Sequence, residues 1–310
     1  MSFIYDYSTW ESMKRFIDPN NFDNFVFDYD KEYFYAQLKQ TDDGYWVGPN
    51  GHYDKSIKEE DKVTYRFNNL FFRSDHFKQI NPEAISILYS GCSWTYGSGM
   101  HEDLIWPTIL SKKIRENAIG AVDSFNVATP GASIFLSIKN VMSFIRNYGK
   151  PTHIFINMPP IARDVRYDKK NNFFYSVVMG NGYFEGGHPN IFLDYIKQHT
   201  HEDSILKACE QIKLFEDYCN LSGINLIWTF WHDADEKVYK DIKFDNILYP
   251  YFNFKRYSLD APGQEYYPNP NSLPLWDLAQ DGHHPGSCWN IDCAEKFYIE
   301  LVRRENEKNN

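Results

Sequence analysis

From residue 85 onward, short apolar runs alternate with stretches of helical periodicity, and this alternation limits the fold more than any other feature of the chain. Ile85 to Ser90 is a mostly apolar run closed by Gly91, which suits a central strand. Residues 103–117 read as a helix, with Pro107 tolerated in the first turn. Ser124 to Ala128 suits a second strand. Ile134, Ile138, Val141, Ile145 and Tyr148 recur at steps of three and four, the stripe of an amphipathic helix. Thr152 to Met158 reads as a third strand, stopped by Pro159 and Pro160. Ile205, Cys209, Ile212, Phe215 and Cys219 mark another helix, which Ser222 and Gly223 end. Ile224 to Phe230 is a fourth strand, and Trp289 to Arg303 a last helix. Strands joined by helices call for a parallel sheet covered on both faces. Sites in such sheets lie at the carboxyl ends of the strands. Attention therefore falls on Gly91 to Gly97, Thr129 to Ser133, Asn157 onward and Trp231 onward.

Residues 1–80 differ in character. They are rich in Asp, Tyr and Phe, with turn signals at 18–20 and 48–51. They read as an accessory region of short strands and loops packed against a main domain at 81–310. Two stretches, 160–200 and 232–280, lack clear periodicity and leave strand ends, so they are expected to frame a cleft.

The formal charge of -10 and the absence of a basic stripe argue against nucleic acid as a partner. No apolar stretch approaches the ~18 residues of a membrane span. The first residues lack a charged segment followed by an apolar run, so no signal peptide and cytoplasmic synthesis are expected. Assembly into a larger particle would leave no mark. The five cysteines, at 92, 209, 219, 288 and 293, form no zinc-type spacing and read as free, mostly buried thiols. His188, His199 and His201 fit no ligand motif, so no metal and no cofactor are expected. Oligomeric state is not legible.

Two segments carry chemistry. Gly91-Cys92-Ser93-Trp94-Thr95-Tyr96-Gly97 follows the first strand directly. A serine on that turn exposes its hydroxyl and aims its own N–H at a developing oxyanion. Near the other end stands Asp281-Gly282-His283-His284-Pro285-Gly286. A serine hydroxyl needs a base, and the base needs an orienting group. Asp281 folding back to Nδ1 of His284 would leave Nε2 free for Ser93.

Together, in this order, the two segments resemble the SGNH (GDSL-like) hydrolases. The first block of that family reads Gly-Asp-Ser-x-Thr-x-Gly and the last Asp-x-x-His-Pro. Gly91, Ser93, Thr95 and Gly97 match the one; Asp281, His284 and Pro285 match the other. The resemblance spans residues 85–304. It implies a flavodoxin-like three-layer α/β/α sandwich with a parallel central sheet. It also implies a serine esterase with Ser93 as nucleophile, His284 as base and Asp281 as its orienter. The N–H groups of Ser93 and Gly131 would hold the oxyanion. Asn157 either adds its amide to that hole or is a strand-end Asn bonded to local backbone. Cys92, Phe155 and Met158 depart from the family blocks, and the pattern selects His284 over His283.

Residues 69–74, with Phe71 in place of a glycine, resemble an Asn-x-x-Gly-Phe-Arg element found upstream of Gly-Cys-Ser blocks in such proteins. Arg73 is a candidate substrate contact, with surface ion pairing as the alternative, and Arg163, just after Pro159 and Pro160, is a second candidate contact. Tyr175, Tyr183, Tyr249, Tyr251 and Tyr257 suit either a cleft that stacks on sugar rings or loops stapled to the core. The favoured substrate is an O-acetylated carbohydrate. The rivals are an O-acyltransferase and a non-catalytic glycan-binding or particle-associated module. Proteins with this Gly-Cys-Ser block resemble ones in phage and bacterial genomes.

Overall fold

The structure is a computed structural model that describes residues 38–49, 62–118, 120–168, 173–178, 200–231, 235–248, 279–280 and 284–308. Three short antiparallel strands come first: β1 (Lys39–Gln40), β2 (Trp46–Pro49) and β3 (Thr64–Phe67). The main unit follows as β4 (Ile85–Gly91), α1 (Ser93–Tyr96), α2 (Trp106–Asn117), β5 (Val122–Asn126), α3 (Ile134–Tyr148) and β6 (His153–Met158). Then come β7 (Arg163–Asp168), β8 (Phe173–Val178), α4 (His201–Ser222), β9 (Asn225–Phe230), α5 (Glu236–Asp241) and α6 (Ser287–Lys308).

The central sheet is parallel throughout, in the order β5-β4-β6-β9. Beyond β9, Ile247 forms a parallel bridge with Trp228. The Trp228 N–H donates to Asn246 O at 3.0 Å, and the Leu248 N–H to Trp228 O at 2.7 Å. This fifth position completes the strand order of flavodoxin-like doubly wound sheets. The buried Glu216 holds the segment there, accepting from Trp228 Nε1 at 2.9 Å and the Asn246 N–H at 2.8 Å.

Each face of the sheet carries its own core, because successive strand residues point to opposite sides. Ile154, Ile156, Leu226 and Trp228 pack under α3 and α4, against Val141, Phe144, Ile212 and Phe215. Ile87, Tyr89, Phe155 and Ile227 pack under α2 and α6, against Trp106, Leu110, Trp289 and Phe297. Helix caps are local. Ser133 accepts from the Leu136 N–H at the start of α3, and Thr200 and Asp203 form a capping box on α4.

The four strands and four long helices fall where the sequence pattern puts them, with ends shifted by a few residues. The stretch 160–200 differs from expectation, since it holds the β7–β8 hairpin, paired from Arg163↔Val178 to Asp168↔Phe173. β7 reads Arg-Asp-Val-Arg-Tyr-Asp and so presents no apolar run; pairing, not sequence pattern, makes it a strand. The stretch 232–280 likewise contains α5 and the bridge at Ile247. Among the described residues, no helix is long and apolar enough to cross a membrane, and no cluster of three or more His, Cys, Asp or Glu side chains could hold a metal ion.

His153 opens β6 largely buried, its Nδ1 2.8 Å from Thr152 Oγ1. Burial pushes its pKa down to about 4, and the nearby Lys308 charge adds to this. The Glu305 carboxylate lies 3.7 Å from Nε2 but is half exposed, and solvent screens it. The unfolded chain binds a proton at the ordinary pKa of 6.5, and the folded chain only near 4. Stability from this group is therefore present above pH ~6.5 and lost as pH falls toward ~4. His153→Gln is expected to flatten that acid slope by about 3 kcal/mol between pH 7 and 4, read from urea denaturation at each pH.

Candidate active site

β4 ends in Gly91 at φ +143°, a conformation closed to most side chains, and a Cβ there would collide with Thr95 Oγ1 and the Asn157 carbonyl. The chain turns at once into α1, with Cys92 extended at the N-cap and Ser93 as first residue. The Gly97 and Ser98 N–H groups both donate to Ser93 O, at 2.9 and 3.0 Å. As the first residue of a helix, Ser93 has no intrahelical acceptor for its own N–H. Cys92 packs into the core under α2 and α6, which gives this thiol the role of a small hydrophobe.

The turn after β5 is bonded to this strand end. The Thr129 N–H donates to Gly91 O at 3.2 Å, and the Ala132 N–H to Thr129 O at 3.1 Å. Gly131 sits between them at φ +71°. Asn140 Nδ2 steadies the turn through Val127 O and Thr129 Oγ1. Asn126 Nδ2 reaches Thr95 O at 3.2 Å and so ties β5 to α1.

Asn157 lies opposite Gly91 in the β4–β6 register. Its side chain shares a face with Phe155, two residues back, on the side that α2 and α6 cover. It has no exposed surface, and among the described residues neither its Oδ1 nor its Nδ2 has a hydrogen-bond partner. Thr95 Oγ1 is in the same position. Such groups ordinarily find partners, so two beside the Ser93 turn mark a place where the fold has not been optimised for stability.

The His284 segment comes to the same turn from the far end of the chain. The Gln280 N–H donates to Gly99 O at 2.9 Å, and Gln280 Oε1 accepts from the Val63 N–H at 2.9 Å. The Ala279 N–H donates to His284 O at 2.9 Å, and Ala279 packs with Met100 and Ile105. After His284, the buried Asn290 takes the orphan Trp106 N–H of α2 on Oδ1 and donates Nδ2 to Gly286 O at 2.8 Å. Trp94, next to Ser93, meets Trp289 edge-on at 5.0 Å between ring centroids. The turn after β5 and the end of β6 thus flank Gly91, and the segment at 279–280, bonded to the partly exposed His284, is tied to Gly99. Asp281 and His283 lie outside the described residues.

The two arginines occupy different settings. Arg73 is buried, and its terminal nitrogens reach main-chain carbonyls: Nη1 at Gly97 O (2.6 Å) and Tyr96 O (3.2 Å), Nη2 at Met100 O (2.6 Å). Arg163 opens β7, half-buried, its N–H donating to Pro160 O at 3.0 Å. Of the tyrosines, the backbone of Tyr175 lies in β8, and Tyr183, Tyr249, Tyr251 and Tyr257 lie outside the described residues, as do His188 and His199. Trp94, next to Ser93 in the chain, stacks on Trp231 at 4.3 Å with 10° between planes. Trp231 directly follows β9, where the sheet rule alone points. Gln280 and Asn290 bear no sequence signal, because any loop Gln or helix Asn looks the same. Burial pushes the remaining core thiols up, Cys209 to about 11, Cys219 to about 12 and Cys293 well above the ordinary thiol range, which leaves them unreactive.

No protein-family description matches the chain, and no curated protein resembles it. Solved structures do. It is similar to TesA at 12% identity and a TM-score of 0.44, over 70% of this chain and 97% of that one. It is similar to an acetyl xylan esterase, AlAXEase, at 12% and 0.39, over 70% and 100%. A member of the lipolytic protein G-D-S-L family from Veillonella parvula matches at 15% and 0.37, over 71% and 98%. At such identities and scores, the chemistry must be read from this chain's own residues.

Proposed function

We propose that this chain is a serine esterase of the SGNH type. Ser93 Oγ attacks an acyl carbonyl, and His284 takes its proton and returns it to the leaving alcohol. Asp281 orients His284. The N–H groups of Ser93 and Gly131 and the Asn157 amide hold the oxyanion, and water releases the acyl group. The observation that carries this reading is the meeting of the Ser93 turn and the His284 segment. They lie far apart in sequence but are joined through Gln280 to Gly99 and through Trp94 to Trp289. The partnerless Asn157 amide opposite Gly91 supports the oxyanion assignment, since a preorganised donor is worth most where water is excluded.

An O-acetylated carbohydrate is the favoured substrate class. The partly exposed Trp231, stacked on the buried Trp94 next to Ser93, supports it, because sugar rings lie well on aromatic faces. A fluorophosphonate probe tests the core of the proposal. Covalent labelling at Ser93, located by peptide mass spectrometry, is the expected result. A fully folded protein whose Ser93 stays unlabelled at high probe concentration would sink it.

A further inference from the structure

The segment preceding β4 contains a buried cation that the proposed chemistry does not use. Asn68 builds its turn. Its Oδ1 accepts from the Leu70 and Phe72 N–H groups at 3.0 Å each, and its Nδ2 donates to Asp75 O at 3.2 Å. Phe71 sits at φ +60°, the left-handed region where the resembling pattern has glycine. A non-glycine side chain held in that strained region signals that the turn's direction matters. The turn delivers Arg73, 2% exposed, behind the nucleophile turn.

A buried guanidinium ordinarily needs a carboxylate. Among the described residues Arg73 has none. It grips Tyr96 O, Gly97 O and Met100 O, the carbonyls that leave α1 and the turn after it. Its Cζ lies 4.5 Å from the centre of the Tyr65 ring, over its face. The Tyr65 hydroxyl in turn accepts from the Gly99 N–H at 2.7 Å. Gly99 O accepts from Gln280, on the His284 side. Gly97, at φ +79°, has no room for a Cβ beside Ile105 and Arg73 Nη1. The fork geometry matters, since one ammonium cannot span carbonyls on both sides of the turn.

Resting on the esterase reading, we propose that Arg73 is a positioning residue. Its fork locks residues 93–100 so that Ser93 faces His284, and Tyr65 couples that lock to the β1–β3 sheet. The guanidinium touches no reacting atom.

Two measurements on the full chain test this. By amide hydrogen exchange, Arg73→Ala is expected to speed exchange at Gly97 to Met100 by at least about 10-fold, with β4 and β6 unchanged. In ester hydrolysis, Arg73→Ala is expected to lower kcat about 100-fold with little change in KM. Tens of millimolar guanidinium should restore much of that loss in the variant and do nothing for the wild type. Unchanged protection at 97–100, or a loss of kcat that guanidinium does not recover in a folded variant, would overturn the proposal. If Arg73→Ala does not fold, Arg73→Lys, which keeps the charge and loses the fork, carries the same exchange measurement. A wild type that neither hydrolyses esters nor labels at Ser93 defeats the esterase reading alone, and the exchange result then decides the role of Arg73.

Discussion

Ser93→Ala is expected to lower the hydrolysis of p-nitrophenyl acetate by about 10⁴-fold or more, and His284→Ala to lower it to a similar level. The double variant should be no worse than either single one, because nucleophile and base act as a unit and their effects do not add. Ser93 heads α1 with only Cys92 between it and Gly91, and its carbonyl is fixed by two N–H donors from Gly97 and Ser98. Deleting one hydroxyl leaves those main-chain bonds in place, so the fold should be unaffected. The melting temperature is expected to stay within a few degrees of the wild type, as for substitutions that open no cavity. Equal activity in Ser93→Ala would remove this serine from the chemistry and leave a binding module on the same fold. Additive losses in the double variant would mean that Ser93 and His284 do not act on one proton.

The core of the fold was legible because its strands and helices carry strong periodicity. The run Ile85 to Ser90 and the stripe from Ile134 to Tyr148 bury a whole face each, and burial writes itself into residue type. β7 was not legible, since Arg163, Asp164, Arg166 and Asp168 hide a strand whose stability comes from its partner. Residue 247 adds a fifth position to the sheet because Glu216, thirty residues away, accepts from the Asn246 N–H. Contacts of that range leave no local pattern. The site divides in the same way. Ser93, Gly131 and Asn157 lie at or just after strand ends, where the sheet rule points, and their roles with that of His284 come from the resemblance to the SGNH blocks. Arg73 was visible as a motif residue, but its partners are carbonyls, which every residue carries. Asn68, which builds the turn, lies one residue before the 69–74 element and carries no motif signal of its own.

Asn157→Ala is expected to move activity and stability in opposite directions. The wild-type amide is wholly buried and has no hydrogen-bond partner among the described residues. A buried polar group left unpaired costs about 1–3 kcal/mol, which the substitution removes. The small cavity that Ala leaves returns part of this, about 1 kcal/mol. Net stability should thus be unchanged or up to about 2 kcal/mol higher, measured by urea denaturation. An oxyanion donor acts on a different balance. It is unpaired in the resting protein and paired in the transition state, and removing one costs about 10²–10³ in kcat. The loss should appear in kcat and in kcat/KM alike, with KM little altered, because the bond forms only as charge develops. The reverse pattern has a clear meaning. A variant that loses stability while keeping its rate would show that Asn157 is a strand-end residue serving β6 and the Gly91 turn. The oxyanion would then rest on main-chain N–H groups alone. The sign of the stability change therefore separates a group kept for chemistry from one kept for the fold.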